Sequence, residues 1–367
     1  MDETRAPAYL QLILTLLTCP NGEENQILNA NSELVDAELV QKIVAFAIRL
    51  GDNQKNKANI LLDIATKIAV LLGNERVDSE IHEKNSSQEH INFILDLLQA
   101  EEDSNSDIKV IYPMLVGRQH LLNDRFAETL QQVADNLIAQ PPEAIEHIVA
   151  LIEYLSIHIS DFPRGNRAKN IEIAITGYQI VLNNRQPGSE KYAQTQNNLA
   201  VAYSHRIHGS RADNEERAIE FYQAALTVYT FEDFPEDWAM IQNNLAYAYS
   251  NRIHGSRADN EERAIEFSQA ALTVRTLEDF PEDWAMTQNN LANAYSKRIN
   301  GSRADNEEKA IEFYQAALTV LTLEDFPEKW ARTQNNLALA YSNRINGSRA
   351  DNIERADRKS TRLNSSH

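Results

Sequence analysis

Cysteine is almost absent from this 367-residue chain, and no long apolar run occurs in it. Cys19 is the only cysteine, which excludes an internal disulfide and any metal site built on several cysteines. The longest apolar stretch, YLQLILTLLTC, is too short to span a bilayer. The start, MDETRAPAYL, lacks the basic front of a signal peptide. We therefore expect a cytoplasmic protein that does not enter a membrane.

Basic side chains are also in short supply, since 35 Lys and Arg stand against 54 Asp and Glu, for a net charge of −19. Such a surface repels phosphate backbones and anionic lipids, so we expect neither a nucleic-acid nor a membrane partner. It attracts basic groups at short range. We therefore expect a protein or peptide partner of basic character.

Strand signals are nearly missing, because no hairpin dipeptide separates two alternating β-branched runs. Helical periodicity takes their place and predicts an all-α fold with a helical N-terminal module over residues 1–140. In NILLDIATKIAVLLG, Gly73 is the predicted helix end. The predicted apolar stripes of this module are Val40, Ile43, Val44, Ala47 and Ile48, and then Ile60, Leu61, Ile64, Ile68 and Leu71.

The rest of the chain is periodic, and QNNLA recurs every 46 residues. Each unit predicts two antiparallel helices, because Pro235 suits a first turn and Asp259, with Glu262 three residues on, has capping-box spacing. One such helix pair has too small a core, whereas stacked pairs bury a continuous one. We predict an α-solenoid over residues 141–356 with one degenerate, three full and one truncated repeat. The buried contacts are expected from Leu199, Leu245, Leu291 and Leu337 and from the alanines that follow them.

The last residues differ in character from the repeats. DRKSTRLNSSH matches the codon-by-codon translation of a common sequencing-library adapter. We therefore expect residues 357–367 to be an artefactual tail, with natural sequence continuing beyond Ala356.

Leu245, Ala246 and Tyr249, followed by Ala264 and Ala271–Leu272, resemble the tetratricopeptide repeat. The unit is longer than the usual 34 residues, and we place the extra residues in the two connections. The resemblance implies a right-handed superhelix whose first helices line a concave groove. The implied function is a scaffold or adaptor that binds a protein or peptide partner.

A narrower resemblance covers most of the chain. FPEDWAMTQNNLANAYSKRINGSRADNEEKAIEFYQAALTV is similar to the long repeats of bacterial tetratricopeptide–CHAT proteins. In that family a caspase-like CHAT peptidase domain usually follows the repeats. The implied alternative is the regulatory or sensing arm of a cysteine peptidase. No His–Cys pair is available in this chain, so we expect a non-catalytic segment. A third hypothesis is a self-assembling structural scaffold.

The asparagine pairs of QNNLA carry the sharpest functional prediction. Amide side chains both donate and accept hydrogen bonds, so one asparagine per repeat could form a ladder that holds an extended chain of any sequence. The alternative is that the amides bridge neighbouring helices within the solenoid, which we expect for the second asparagine of each pair. The predicted ladder consists of Asn197, Asn243, Asn289 and Asn335.

Other positions on the first helix vary between repeats and lie about one turn from the ladder. We expect them to set partner choice, the alternative being neutral variation on a solvated face. Recurring arginines, such as Arg252 and Arg257, predict ion pairs between repeats. We expect no catalytic residue, metal or cofactor, because no phosphate loop or recurring ligand set appears. The variable residues predicted to contact the partner are Met240, Met286, Tyr247, Asn293, Asn251 and Lys297.

Overall fold

A computed structural model describes residues 5–19, 23–49, 55–72, 75–139 and 142–364. Within these ranges the regular structure consists of 17 α-helices and two short 3-10 helices, with no strand. The predicted all-α fold is confirmed. Gly73 lies outside the described residues, as do the side chains of Ile48 and Leu71.

The chain divides into two compact units, and the first is Met1–Phe93. Its helices are α1 (Ala6–Thr18), α2 (Glu24–Ala30), α3 (Ala37–Arg49), α4 (Lys55–Leu71) and the beginning of α5 (Glu75–Ser104), with a 3-10 turn at Ser32–Leu34.

Apolar residues of α1, α3 and α4 form the core of this unit, including Ile13, Ile43 and Ile64. Asp36 anchors the start of α3, since its Oδ1 accepts a hydrogen bond from the Leu39 N–H (2.9 Å) and its Oδ2 from the Tyr9 hydroxyl (2.7 Å). The predicted stripe of α4 is wrong at Ile60, which is 41% exposed. The buried face of α4 consists of Leu61, Ile64, Ala65 and Ile68. The side chain of Ile60 lies at the edge of this face, because consecutive residues of a helix point in different directions.

The second unit is Ile94–His367. It contains the rest of α5, then α6 (Ile108–Gly117), a 3-10 turn at Gln119–Leu121 and α7 (Asp124–Ile138). Five helix pairs follow: α8 (Pro142–Asp161) and α9 (Arg167–Asn184), α10 (Glu190–Ser204) and α11 (Arg211–Ala225), α12 (Pro235–Asn251) and α13 (Arg257–Ala271), α14 (Pro281–Lys297) and α15 (Arg303–Ala317), α16 (Pro327–Asn343) and α17 (Arg349–Asn364).

The division at residues 93 and 94 differs from the predicted module boundary at residue 140. Helix α7 packs against α8 and α9, which places it in the same compact unit as the helix pairs. The residue at which the repeat array itself begins stays a prediction.

Each helix pair packs closely, and each second helix also contacts the first helix of the next pair. This arrangement is an α-solenoid. The leucine and alanine of each QNNLA stretch lie in its core, with Leu245 fully buried and Ala246 2% exposed. The predicted core positions are confirmed. The buried leucines are Leu199, Leu245, Leu291 and Leu337.

The predicted caps of the second helices are wrong by three residues. Helix α13 begins at Arg257, and the Ser256 hydroxyl accepts a hydrogen bond from the Asp259 N–H at 3.3 Å. Asp259 therefore lies within the first turn, where its charge still favours the helix dipole. Gly255, at φ +80°, makes the left-handed turn that sets this start. The hydroxyls of Ser210, Ser302 and Ser348 accept equivalent bonds.

An arginine–glutamate contact joins each repeat to the next. The Nε and Nη2 atoms of Arg252 donate to Glu216 Oε1 and Oε2 at 2.6 and 2.8 Å, and its guanidinium lies over the Tyr249 ring. The predicted ion pairs between repeats are confirmed for this row, and the acid comes from the second helix of the preceding repeat. We call these contacts the staples: Arg206–Glu172, Arg252–Glu216, Arg298–Glu262 and Arg344–Glu308.

The second arginine row behaves differently from the prediction. Arg211 and Arg303 pair at 2.9 Å with Glu215 and Glu307 of their own helices. Four-residue spacing brings these side chains together on one helix face, so the pairs lie within repeats.

Candidate functional site

The first helices of the repeats form a continuous row. Helix α10 contacts α12, α12 contacts α14, and α14 contacts α16, whereas the second helices make no comparable series of contacts in the part of the chain that the structure describes. All of the predicted partner-contacting residues lie on these four first helices.

A pocket of about 140 Å³ lies between α12 and α14. It brings together four of the predicted residues, Tyr247 and Asn251 from α12 and Asn293 and Lys297 from α14. Sequence reasoning missed Ser250, because a serine recurs at this position in the clear repeats and gives no sign of selectivity. The complete lining is Ala246, Tyr247, Ser250, Asn251, Asn290, Asn293 and Lys297.

Lys297 supplies the positive charge of this pocket. Its Nζ donates to the backbone oxygen of Ser250 at 3.2 Å and to the Ser250 hydroxyl at 3.0 Å. Burial lowers the pKa of Lys297, while the nearby carboxylate of Glu261 acts to raise it. An ammonium group has three donors, so one N–H stays available for a further acceptor.

Asn293 presents a donor to the same pocket. Its Oδ1 accepts from the Tyr314 hydroxyl at 2.6 Å and from Asn336 Nδ2 at 3.2 Å. An amide oxygen has two lone pairs, so these two bonds fill its accepting capacity and orient the amide. The NH₂ group of Asn293 therefore stays available to donate a hydrogen bond to a partner. Asn293 and Lys297 are four residues apart and share one face of α14.

Tyr247 and Asn251 form the opposite wall. Asn251 Nδ2 donates to the Tyr247 backbone oxygen at 2.9 Å, which fixes the amide against its own helix. The Tyr247 side chain is half exposed. The pocket therefore combines an accessible aromatic ring with hydrogen-bond donors.

The asparagine pairs connect the first helices to one another. Asn290 Nδ2 donates to Asn243 Oδ1 at 3.0 Å, and Asn244 approaches Asn197 in the same way at 3.5 Å. At these two junctions the second asparagine of a repeat bonds to the first asparagine of the preceding repeat, which is the bridging alternative. At the next junction Asn336 bonds to Asn293 instead.

The predicted ladder residues differ in accessibility. Asn289 is 2% exposed and accepts from the Thr333 hydroxyl, and Asn197 is also buried, so both lie within the junctions between repeats. This corrects the expectation that the ladder faces a partner along its whole length. Asn243 is half-buried and Asn335 is exposed. Met240 and Met286 are half-buried, and Met286 packs against a small apolar cluster.

The junction beside this pocket differs electrostatically from its neighbours. Glu215 and Glu307 use Oε2 to accept from the backbone N–H of Ile253 and Ile345. Their counterpart Glu261 is buried, and its Oε2 has no hydrogen-bond partner among the described residues. Burial accordingly raises the pKa of Glu261.

The described ranges contain no group of three or more His, Cys, Asp and Glu residues that could hold a metal ion. In the same ranges, no helix has the length and apolar character needed to cross a bilayer.

Comparison with known families agrees with this architecture. A tetratricopeptide-repeat model matches residues 284–327, which include most of the α14–α15 pair. A Sel1-repeat model matches residues 193–227 and 239–272, in the two preceding pairs. No curated protein shows significant similarity to the chain. The matches and the stacked helix pairs together support a repeat protein of the tetratricopeptide type.

Proposed function

We propose that this chain is a protein-interaction scaffold or adaptor that holds an extended segment of a partner along its first helices. Tetratricopeptide and Sel1 repeats suggest protein partners. The mutual contacts of the first helices favour curvature toward that side, because the inner row of a bent stack has the shorter spacing. This supports a concave groove on the face that carries the pocket.

The spacing of the repeats suggests how such a segment would align. Packed helices lie about 8–10 Å apart, and an extended chain advances about 3.3 Å per residue. About three partner residues would therefore span one repeat. Successive contacts would fall near Tyr247, then near Asn293 and Lys297, and then near the exposed Leu339.

The observation that carries this proposal is the pair of donors that Asn293 and Lys297 present to one pocket. Two groups with donors to offer favour an acceptor on the partner, such as a backbone carbonyl or a carboxylate. The net charge of −19 favours basic residues elsewhere in the same segment. The half-exposed Tyr247 ring would contact an apolar or cationic side chain beside the acceptor.

Selection of peptides on the full chain tests the proposal. Binders from a displayed library of short peptides would be titrated against the wild type and Lys297→Asn. Asn stands at the equivalent positions 251 and 343, so this substitution suits the fold. We expect roughly tenfold or greater weakening, because a charge-assisted hydrogen bond contributes about 1.5–3 kcal/mol.

A matched control separates the pocket from a general charge effect. Lys309→Asn makes the same substitution on the second helix α15, and we expect it to leave affinity unchanged. Equal affinities of wild type and Lys297→Asn for the selected peptides would show that the pocket does not contact the partner. Failure to select any peptide above background would remove the scaffold function itself.

The resemblance to tetratricopeptide–CHAT proteins supports a more specific role as an alternative. In that role, the repeats would be a cytoplasmic sensing arm that passes partner binding to a CHAT peptidase effector in the same polypeptide. Sequencing the genomic locus distinguishes the alternatives. A CHAT domain with its His and Cys motifs in frame after the repeats would favour the peptidase arm, and a locus without one would favour the independent scaffold.

A further inference from the structure

One loop position differs chemically among the four clear repeats. The turn between the first and second helices contains His208, His254, Asn300 or Asn346, and a glycine follows in every case. Only the last two repeats therefore contain an Asn–Gly dipeptide at this turn.

The two Asn–Gly turns are open to chemistry within the backbone. Asn300 and Asn346 are exposed, and Gly301 and Gly347 adopt φ values of +82° and +83°. Neither glycine N–H takes part in a backbone hydrogen bond within residues 142–364. Because glycine has no Cβ, its nitrogen can approach the preceding side chain closely.

We propose that Asn300 and Asn346 are sites of spontaneous deamidation. The backbone nitrogen of Gly301 attacks Cγ of Asn300 and loses its proton, and the side-chain nitrogen departs as ammonia. The resulting succinimide is then opened by water to aspartate or isoaspartate. Water is the only co-reactant, and no redox change occurs. Gly347 and Asn346 react in the same way.

The reaction would act directly on the staples. Arg298 donates two side-chain hydrogen bonds to Glu262 and thereby holds its pKa below the usual range, and the nearby Asn300 amide acts in the same direction. Arg344 and Asn346 act together on Glu308. Deamidation replaces the amide donor with a carboxylate, which repels the glutamate that the arginine binds.

The backbone of the turn would also change. The Asn300 carbonyl accepts from Asn306 Nδ2 at 2.8 Å, and Asn306 is buried near the start of α15. Isoaspartate inserts one extra carbon into the main chain beside this bond. The Arg298–Glu262 and Arg344–Glu308 staples would weaken with age, whereas the Arg252–Glu216 staple, which has His254 at this position, would not.

Peptide mapping of the aged full chain tests the site. After prolonged incubation in mildly alkaline buffer, we expect the mass gain of amide-to-acid conversion in the peptides that contain Asn300 and Asn346. Asn300→His, which copies the preceding repeat, should abolish the gain at position 300 and leave that at 346. Unchanged masses in the folded chain, with clear gains in the urea-unfolded chain, would overturn the proposal.

Thermal unfolding tests the consequence separately. Aged wild type should unfold several degrees lower than fresh protein, and an Asn300→His, Asn346→His double variant should show no such decline. A complete mass conversion without any change in unfolding temperature would overturn the proposed effect on the staples.

Discussion

Adjacent residues of one helix can have opposite electrostatic environments. On α13, Glu262 accepts two hydrogen bonds from Arg298, which lowers its pKa. Glu261 faces inward with an unbonded oxygen, and burial raises its pKa. A raised pKa means that folding disfavours the charged carboxylate, whereas a lowered pKa means that folding favours it.

Neutralising these two glutamates should therefore change stability in opposite directions. We expect Glu262→Gln to destabilise the chain by about 1 kcal/mol, because it removes a partly exposed charge-assisted contact. Glu261→Gln should stabilise it by on the order of 1 kcal/mol or less, since it removes a poorly compensated buried charge. Urea unfolding at neutral pH measures both.

Glu307→Gln is the control for position 261, because the Glu307 carboxylate is bonded to Ile345 and Arg303. The Glu307→Gln substitution should lower the free energy of unfolding. The same sign for Glu261→Gln and Glu307→Gln would show that the missing partner of Glu261 has no energetic consequence.

The asparagines show what residue spacing could and could not predict. The 46-residue period placed every pair on the same turn of a first helix and correctly identified one shared row. An amide can bond equally well to a ligand or to the next helix, and the period carries no information about the distance to that helix. The burial of Asn289 and the accessibility of Asn243 therefore needed coordinates.

At the scale of secondary-structure elements, helix type was easier to predict than helix ends. Leucine and alanine periodicity gave the helices and their buried faces. The stretch GSRADNEE, however, has two candidate caps three residues apart, Ser256 and Asp259, and both suit an N-cap. The left-handed conformation of Gly255 makes Ser256 the cap. Residue propensities for the N-cap position give no information about that conformation.

The cap assignment makes a direct prediction for α13. Ser256→Ala should cost about 1 kcal/mol, because it leaves a first-turn N–H without its acceptor. Asp259→Ala should cost less, since it removes only an exposed charge at the positive helix end, worth about 0.3–1 kcal/mol. Thermal unfolding monitored by circular dichroism compares the two variants. The reverse order of stabilities would restore Asp259 as the effective cap.

At the scale of the whole molecule, the staples link neighbouring repeats in series. Each repeat contacts only its neighbours, so stability is approximately a sum of repeat and junction contributions. Three of the four staple glutamates, Glu216, Glu262 and Glu308, have pKa values lowered by their arginines. A change that affects these junctions together should alter the stability of the chain more than any single substitution does.

Acidification is such a change, and the direction of its effect on stability follows from the pKa shifts. A carboxyl group whose pKa is lower in the folded state stabilises that state above its unfolded value of about 4.5, and this contribution is lost as pH falls through the folded value. Glu261 has the opposite shift, so its protonation offsets part of the loss. We expect the unfolding temperature to fall steeply below about pH 4.5.

Unfolding temperatures measured across this pH range should be compared with those of a Glu216→Gln, Glu262→Gln, Glu308→Gln triple variant. The variant should be less stable than the wild type at neutral pH. It should also lose less stability on acidification, because glutamine at the three staple positions does not titrate. Parallel pH curves for the two proteins would assign the acid sensitivity to other carboxylates. Convergence of the curves at low pH would identify the three staples as the groups through which protons loosen the stack.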